Sequence, residues 1–420
     1  MKSNSIDTPE LLAPVQDWKT LKFIETIPDS IYFGLENFNM RRNAQNFKEN
    51  DLGKIVEYCH SQEPPSKAYL CTNILIYNSE LEELKRVIRK AKEAEIDAII
   101  AHDIAAIEYA REFDINFHIS TQANISNIMS AQYYENLGAE RLILARELSL
   151  DQIKEIKQSL KTCQIECFVH GSMCTSISGR CYFSAIVEDS SEYSANRGKC
   201  MQPCRREWTV KDDQNNEFIY NGEMFLNAKD LCMIEHIPEL IEANIDAFKI
   251  EGRMKDPLYV KTVCQCYREA IDSYYTNTFT QNKIDGWLKR LSKVYNRSFH
   301  TGFYFQTPTP EEIQLETRGN TSKWKRAYIG KILSYNSNTK TANILIENQN
   351  LSIEEGERIF IENEQILLED VLKKIFISGE KVKSIQLGKS SSSIQINASL
   401  QSKPQSGDRI FKITRTPKIL

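Results

Sequence analysis

Apolar runs of strand length punctuate the first 250 residues: Leu11 to Ala13, Ile31 to Leu35, Ala68 to Thr72, Ala98 to Ala101, Phe117 to Ser120, Leu142 to Ala145, Ile165 to Val169 and Ala247 to Ile250. Between them apolar residues recur at helical spacing, in Leu52 to His60, Leu81 to Ala94, Ile104 to Phe113, Ile128 to Leu137, Leu150 to Leu160 and Leu231 to Ala243. Alternating strand and helix implies a parallel sheet with helices outside, and eight such strands favour a closed (β/α)8 TIM-like barrel over an open doubly wound sheet. The first strand supports this choice, because Leu11-Leu-Ala-Pro-Val15 leads into no glycine-rich phosphate turn.

The pattern changes toward the C-terminus. Helical stretches at Leu258 to Tyr275 and Asp285 to Tyr295 complete the barrel wall, and a polar segment reads as a linker over 306–326. From Ala327, short alternating strands are separated by turns at Asn336-Ser-Asn338, Glu354-Glu-Gly356, Ser378-Gly-Glu380 and Ser406-Gly-Asp408. This spacing predicts a small antiparallel β-barrel over 327–420, behind a catalytic barrel over 1–305. With 420 residues and 41% hydrophobic content, two domains are expected.

Polar residues gather where the predicted parallel strands end. Asn73, Asp103, Gln122 with Asn124, Arg146 with Glu147, His170, and Lys249, Glu251 and Arg253 all lie at or near C-terminal strand ends, the face on which such barrels build active sites. Loop capping accounts for any one of them. Six strands ending this way point to a site.

Cysteine adds chemistry to that face. Cys174, Cys181, Cys200 and Cys204 recur at spacings x6, x18 and x3, in an insertion over 172–230 that leaves the seventh strand. A disulfide framework fits poorly: the total of 11 is odd, and the remaining seven are scattered. The start Met1-Lys-Ser-Asn-Ser carries no apolar leader, and no apolar run is long enough to span a bilayer, so a cytoplasmic protein with reduced thiols and no membrane partner is expected. Zinc knuckles favour two short cysteine pairs, whereas iron–sulfur clusters accept more varied spacing, which favours a cluster. The net charge of -4 excludes a uniformly basic nucleic-acid coat. A local RNA-binding patch remains available in Arg197, Lys199, Arg205 and Arg206, interleaved with the cysteines, against the plainer reading of a solvated loop.

The run Glu166 to Ser184 resembles the signature of peptidase family U32, E-x-F-x2-G-S/A-aliphatic-C-x4-G-x-C-x-aliphatic-S, departing only at Phe183. Further matches are Phe38-Asn-Met-Arg41 with Asn46-Phe47, Ser120-Thr-Gln122, Lys249-Ile-Glu-Gly-Arg253, and Tyr295-Asn-Arg297 with Gly302-Phe303. The resemblance covers almost the whole chain.

That resemblance implies three enzyme readings: a collagenase-like protease, an oxygen-independent hydroxylase of RNA, and, among shorter relatives, a hydroxylase of ubiquinone precursors. The RNA hydroxylases of the family form 5-hydroxyuridine at the tRNA wobble position, with prephenate as co-substrate, or modify a cytidine of 23S rRNA. The family architecture favours tRNA here. The resemblance further implies a [4Fe-4S] cluster on Cys174, Cys181, Cys200 and Cys204, with Cys232 in reserve for the fourth place. Arg41, Arg146, Lys249 and Arg253 are then suited to a donor's carboxylates, Gln122 and Asn73 to a base edge, and Glu147 or Glu251 to proton movement. An electron or oxygen donor is a required further partner, and a related U32 subunit is a candidate one.

Against proteolysis, the chain offers neither an H-E-x-x-H zinc helix nor a G-x-S-x-G elbow; Ser172 with nearby His170 is the only nucleophile to consider. A non-catalytic iron–sulfur RNA-binding protein is the third class, disfavoured by the ionisable side chains expected at the mouth.

Overall fold

The computed structural model describes residues 8–177, 180–218, 226–315, 317, 319–348, 351–386 and 394–415. The cysteine insertion is therefore described except for 178–179, including Gly179 of the signature, and 219–225. Eight parallel strands close into a barrel: β1 (Glu10–Pro14), β2 (Ser30–Phe33), β3 (Lys67–Thr72), β4 (Ala98–Ala101), β5 (Phe117–Ile119), β6 (Arg141–Ile143), β7 (Gln164–Ser172) and β8 (Ala247–Ile250). Each pairs with the next, and β8 closes the ring by pairing with both β7 and β1, Lys249 lying opposite Phe168 and Leu12. All eight predicted strands are present. Nearly every residue in them is buried, as expected of parallel strands covered on both faces.

The helices between the strands follow from their sequences. Leu81–Glu93 buries Leu84, Val87, Ile88 and Ala91 on one stripe, with Glu82 and Glu83 in its first turn and Lys90 and Lys92 in its last, as the helix dipole favours. Leu150–Ser159 starts at a reciprocal cap between Ser149 and Gln152.

One predicted helix is overturned at its start. Asp230–Cys232 is a strand, antiparallel to the end of β7, with Asp230 opposite Ser172 and Cys232 opposite His170. Helical structure resumes only at Ile234–His236 and Ile237–Glu242. Pairing with the extended β7 satisfies backbone groups that helical spacing alone had assigned to a coil of helix.

The chain divides into two compact units, 1–17 with 24–321, and 18–23 with 322–420. The stretch 306–321 is held within the first: the Gln314 N–H donates to the Asn227 carbonyl at 2.7 Å and the Thr321 N–H to that of Asn296 at 2.7 Å. The second unit is an eight-stranded antiparallel sheet with a core that includes Ile329, Ile344, Ile359, Ile396 and Ile410. Its strand Thr341–Ile346 alternates strictly, burying Ala342, Ile344 and Ile346. Within the same unit Lys19 pairs with Glu362 at 2.6 Å. Among the described residues no helix is long and apolar enough to cross a membrane.

Candidate functional site

The C-terminal ends of the barrel strands surround a small cavity, and Arg41, Asn73, Gln122, Arg146, Lys249, Glu251 and Arg253 all line it, with Tyr32, Cys71, Ser120 and Phe168 among the other wall residues. Five separate strand ends thus deliver the seven residues chosen from the sequence to one place. Asp103 does not join them. Its carboxylate accepts from the N–H groups of Ala105 and Ile76, both at 3.0 Å, which is capping. Asn124 is likewise a turn residue, at φ 52°.

Inside the cavity the polar groups form three sets. Glu251 Oε1 accepts from Arg41 Nη2 at 2.9 Å and Nε at 3.2 Å. Asn73 Nδ2 donates to Ser120 Oγ at 3.1 Å and Gln122 Oε1 at 3.3 Å, while its Oδ1 accepts from the Met40 N–H at 3.2 Å. Lys249 Nζ sits 4.0 Å above the Tyr32 ring and donates to Glu166 Oε1 at 2.7 Å. Burial tends to raise the Glu251 carboxyl, but Arg41, Arg146 and Arg253 outweigh it and hold the group below the usual range. It therefore stays anionic and is a poor proton acceptor.

Two guanidinium groups remain incompletely satisfied. Arg146 donates Nη1 to the Ser172 carbonyl at 3.0 Å and lies 3.9 Å over the Phe168 ring, yet its buried Nε has no partner. Arg253 donates Nη2 to Asn39 Oδ1, and its buried Nη1 has none. Four cations line the cavity against one carboxylate, Glu251, with Glu166 buried beneath Lys249, so the cavity carries an excess positive charge suited to an anionic ligand.

Several residues of this arrangement were given no role from the sequence, although Asn39 and Glu166 lie in the quoted motifs. Asn39 is fully buried against Arg253, and a side chain at Gly34 would come within 2.5 Å of that guanidinium, so Gly34 makes room for it. Below the cavity an ion chain runs through the barrel: Glu166 Oε2 to Arg141 Nη1 at 3.3 Å, then Arg141 Nη2 to Glu10 Oε2 at 2.8 Å. Burial pushes the Glu10 carboxyl up, but hydrogen bonds and attraction from Arg141 bring it down to about 2. The available signal was a lone charge within or at the edge of each apolar run.

The thiols separate into two classes. Cys174 is exposed and Cys181, Cys200 and Cys204 are half-buried, whereas the other seven cysteines are buried. Burial raises the Cys204 thiol to about 11; Cys174, Cys200 and Cys181 add to this and Arg205 opposes it, so the four thiols feel one another's charge. Cys232 is apart from them, packed inside and accepting from the Tyr267 hydroxyl at 3.9 Å. Among the described residues no three His, Cys, Asp or Glu side chains form a cage for a single metal ion. Four mutually sensed thiols, with the Gln202 N–H donating to Cys200 Sγ at 3.3 Å, are a donor set that fits the larger core of an iron–sulfur cluster.

The basic quartet is not the open patch expected of it. Arg197 pairs with Glu80 and stacks on Tyr77, Lys199 pairs with Glu192 at 2.8 Å, and Arg206 with Glu188 at 2.5 Å. Arg205 is only 9% exposed and donates to Asn227 Oδ1, the Ala228 carbonyl and the Met173 carbonyl. Its guanidinium is enclosed by the fold and out of reach of a phosphate backbone. The other three are taken up in ion pairs, Arg197 with a glutamate from a distant part of the chain and Lys199 and Arg206 with glutamates of the insertion itself.

Ser172 and His170 do not form a nucleophile and base. The Ser172 hydroxyl accepts from Arg297 Nη1 at 3.0 Å, and Arg297 pairs with Asp230 at 3.0 Å. His170 is enclosed by the rings of Tyr259, Tyr267 and Phe299, and burial drives its pKa down to about 3. Gly171 has a conformational reason of its own: its φ is +107°, and a Cβ there would lie 2.4 Å from the Glu251 carbonyl oxygen.

A parallel (β/α)8 barrel with a cationic cavity at its mouth and four grouped cysteines leaving its seventh strand defines the class of protein. The chain belongs to peptidase family U32, whose model matches residues 16–314. It is 37% identical over 417 residues to an uncharacterised protease of Methanocaldococcus jannaschii, covering 97% of this chain and 98% of that one. It is 39% identical over 365 residues to a collagenase of Porphyromonas gingivalis, covering 84% and 86%. To tRNA hydroxylation protein P1 of Bacillus subtilis it is 34% identical over 340 residues, covering 79% of each.

Proposed function

We propose that this protein is an iron–sulfur RNA hydroxylase that works without O2, forming 5-hydroxyuridine at the tRNA wobble position with a carboxylate-bearing co-substrate of the prephenate kind. The observation that carries this reading is the cavity itself. Its walls combine two buried guanidinium donors without partners, on Arg146 and Arg253, with the amides of Asn73 and Gln122, at the barrel face from which the four-cysteine insertion leaves. The similarity to the Bacillus subtilis tRNA hydroxylation protein supports RNA as substrate.

In this account Cys174, Cys181, Cys200 and Cys204 hold the cluster, which when bound supplies electron transfer at the mouth. The guanidinium groups of Arg146 and Arg253 bind the co-substrate's carboxylates, and the Asn73–Gln122 amide pair reads the edge of the base. Glu251, held anionic by Arg41, orients that guanidinium rather than moving a proton. Tyr182, beside Cys181 and 73% exposed, offers a ring on which an unstacked base can lie.

Proteolysis is the second reading, favoured by the names of the archaeal and Porphyromonas relatives. Its candidate nucleophile, Ser172, is not set up for attack, because the hydroxyl is held by Arg297 and His170 faces Tyr267. The deciding assay incubates anaerobically purified protein with unmodified tRNA, prephenate and an extract of cells lacking this protein as the source of the electron or oxygen donor, then digests the RNA for mass spectrometry. Uridine heavier by one oxygen atom is expected; cleavage of gelatin with unchanged tRNA would favour the protease.

A further inference from the structure

The segment leading into Cys174 is gripped by three guanidinium groups from distant parts of the chain. Arg146 donates to the Ser172 carbonyl at 3.0 Å, Arg297 to the Ser172 hydroxyl at 3.0 Å, and Arg205 to the Met173 carbonyl. Arg205 differs from the other two in being the chain neighbour of Cys204. Its Nη1 also donates to Asn227 Oδ1 at 2.9 Å and to the Ala228 carbonyl at 2.7 Å. Asn227 is fully buried and passes the linkage on, donating to the carbonyls of Gln314 and Thr317 at 2.9 Å each. A single fork therefore ties the turn bearing Cys204 to the strand end bearing Cys174.

The second observation is electrostatic. Every hydrogen-bond acceptor of Arg205 is a neutral carbonyl or amide oxygen, and among the described residues no carboxylate forms an ion pair with it. The carboxylate that attracts it, Asp230, is already paired with Arg297, whose own charge opposes Arg205, so a buried cation here calls for further negative charge nearby. The groups placed to supply that charge are the thiolates beside it and whatever they hold.

We propose that Arg205 is a positioning residue for the cysteine-bound cluster: its fork fixes Cys174 against Cys204, and its buried charge raises the cluster's reduction potential. This rests on the cluster reading given above. A fixed positive charge near the cluster favours the state carrying the extra electron, and hydrogen bonding around the ligands controls their geometry. The two roles separate by substitution. Lysine keeps the charge and loses the fork, while methionine loses both.

The test uses anaerobically purified, iron-loaded full-length protein, with the midpoint potential read by titration under electron paramagnetic resonance and iron loss followed with a ferrous chelator. R205M is expected to shift the midpoint to more negative potential and to lose iron several-fold faster than the parent. R205K is expected to keep the parent midpoint but to lose iron faster. A parent-like midpoint in R205M overturns the proposal. Should R205M retain no iron, R205K decides: faster loss supports the fork, and parent-like loss overturns it. A parent protein that binds no iron contradicts the cluster reading itself, a result distinct from either.

Discussion

Lys249 and Glu166 form an ion pair of 2.7 Å inside the barrel, joining the motif that begins β7's signature to the motif that ends β8. Glu166 is fully buried and is shared between Lys249 and Arg141, so removing its charge leaves the enclosed Lys249 without its carboxylate and Arg141 with Glu10 alone. Glu166→Gln should destabilise the protein by about 3–5 kcal/mol, the usual cost of breaking a buried pair from one side. Adding Lys249→Met should recover part of that loss. Chemical denaturation of the three variants checks the coupling, and independent, additive effects would refute it.

Gly171→Ala should be costly although it adds one methyl group. The residue sits at positive φ with the Glu251 carbonyl oxygen 2.4 Å from the position of a Cβ. A loss of at least about 1–3 kcal/mol is expected from strain of this kind, together with lower activity as Glu251 is displaced. Thermal unfolding reads the first effect and the RNA assay the second.

Acid should weaken the barrel through two groups acting in the same direction. Glu10 is lowered from 4.5 to about 2, so its unfolded form binds more protons; its contribution is complete above 4.5 and disappears as pH falls toward 2. His170 is lowered from 6.5 to about 3 by burial, and again the unfolded form takes up the proton as pH falls from 6.5 to 3. Glu10 alone corresponds to about 3 kcal/mol. Denaturant midpoints should fall from pH 7 to pH 3, and Glu10→Gln should show a smaller fall below pH 4.5.

Anaerobic protein should contain about four iron atoms per chain and absorb in the visible, as one thiolate-bound cubane does. Cys174→Ser should abolish both properties, whereas Cys232→Ser should keep them, because Cys232 packs against Tyr267 away from the other thiols. Iron analysis of the two variants distinguishes the ligand sets.

Most of the barrel was legible because parallel strands covered on both faces appear as uninterrupted apolar runs, as at Ala98–Ala101. The mouth was legible for a related reason: Asn73, Gln122 and Arg146 follow their strands within three residues, where barrel topology fixes the face. Pairing across the fold was not legible. Arg197, which reads as part of a basic patch, pairs with Glu80 from a distant part of the chain, while Lys199 and Arg206 pair with Glu192 and Glu188 inside the insertion. Leu231 and Cys232 had helical spacing, and only the extension of β7 beside them made them a strand. The chain from Glu166 through Arg141 to Glu10 draws on three strands, and no local window contains it.

Arg146→Lys and Gln122→Ala should impair modification without unfolding the chain, since both side chains line the cavity. Arg146→Lys removes a planar donor pair from a carboxylate, worth about 1.5–3 kcal/mol, so KM for the co-substrate should rise about 10–100-fold. An unchanged KM in Arg146→Lys would place the co-substrate elsewhere.

The most direct measurement of the central claim is nucleoside mass spectrometry of tRNA from cells lacking this protein, complemented with the parent gene or with Arg253→Gln. The account predicts that 5-hydroxyuridine and nucleosides derived from it disappear on deletion, return with the parent and do not return with Arg253→Gln, whose cavity has lost a guanidinium. A deletion strain with an unaltered tRNA nucleoside profile would contradict it.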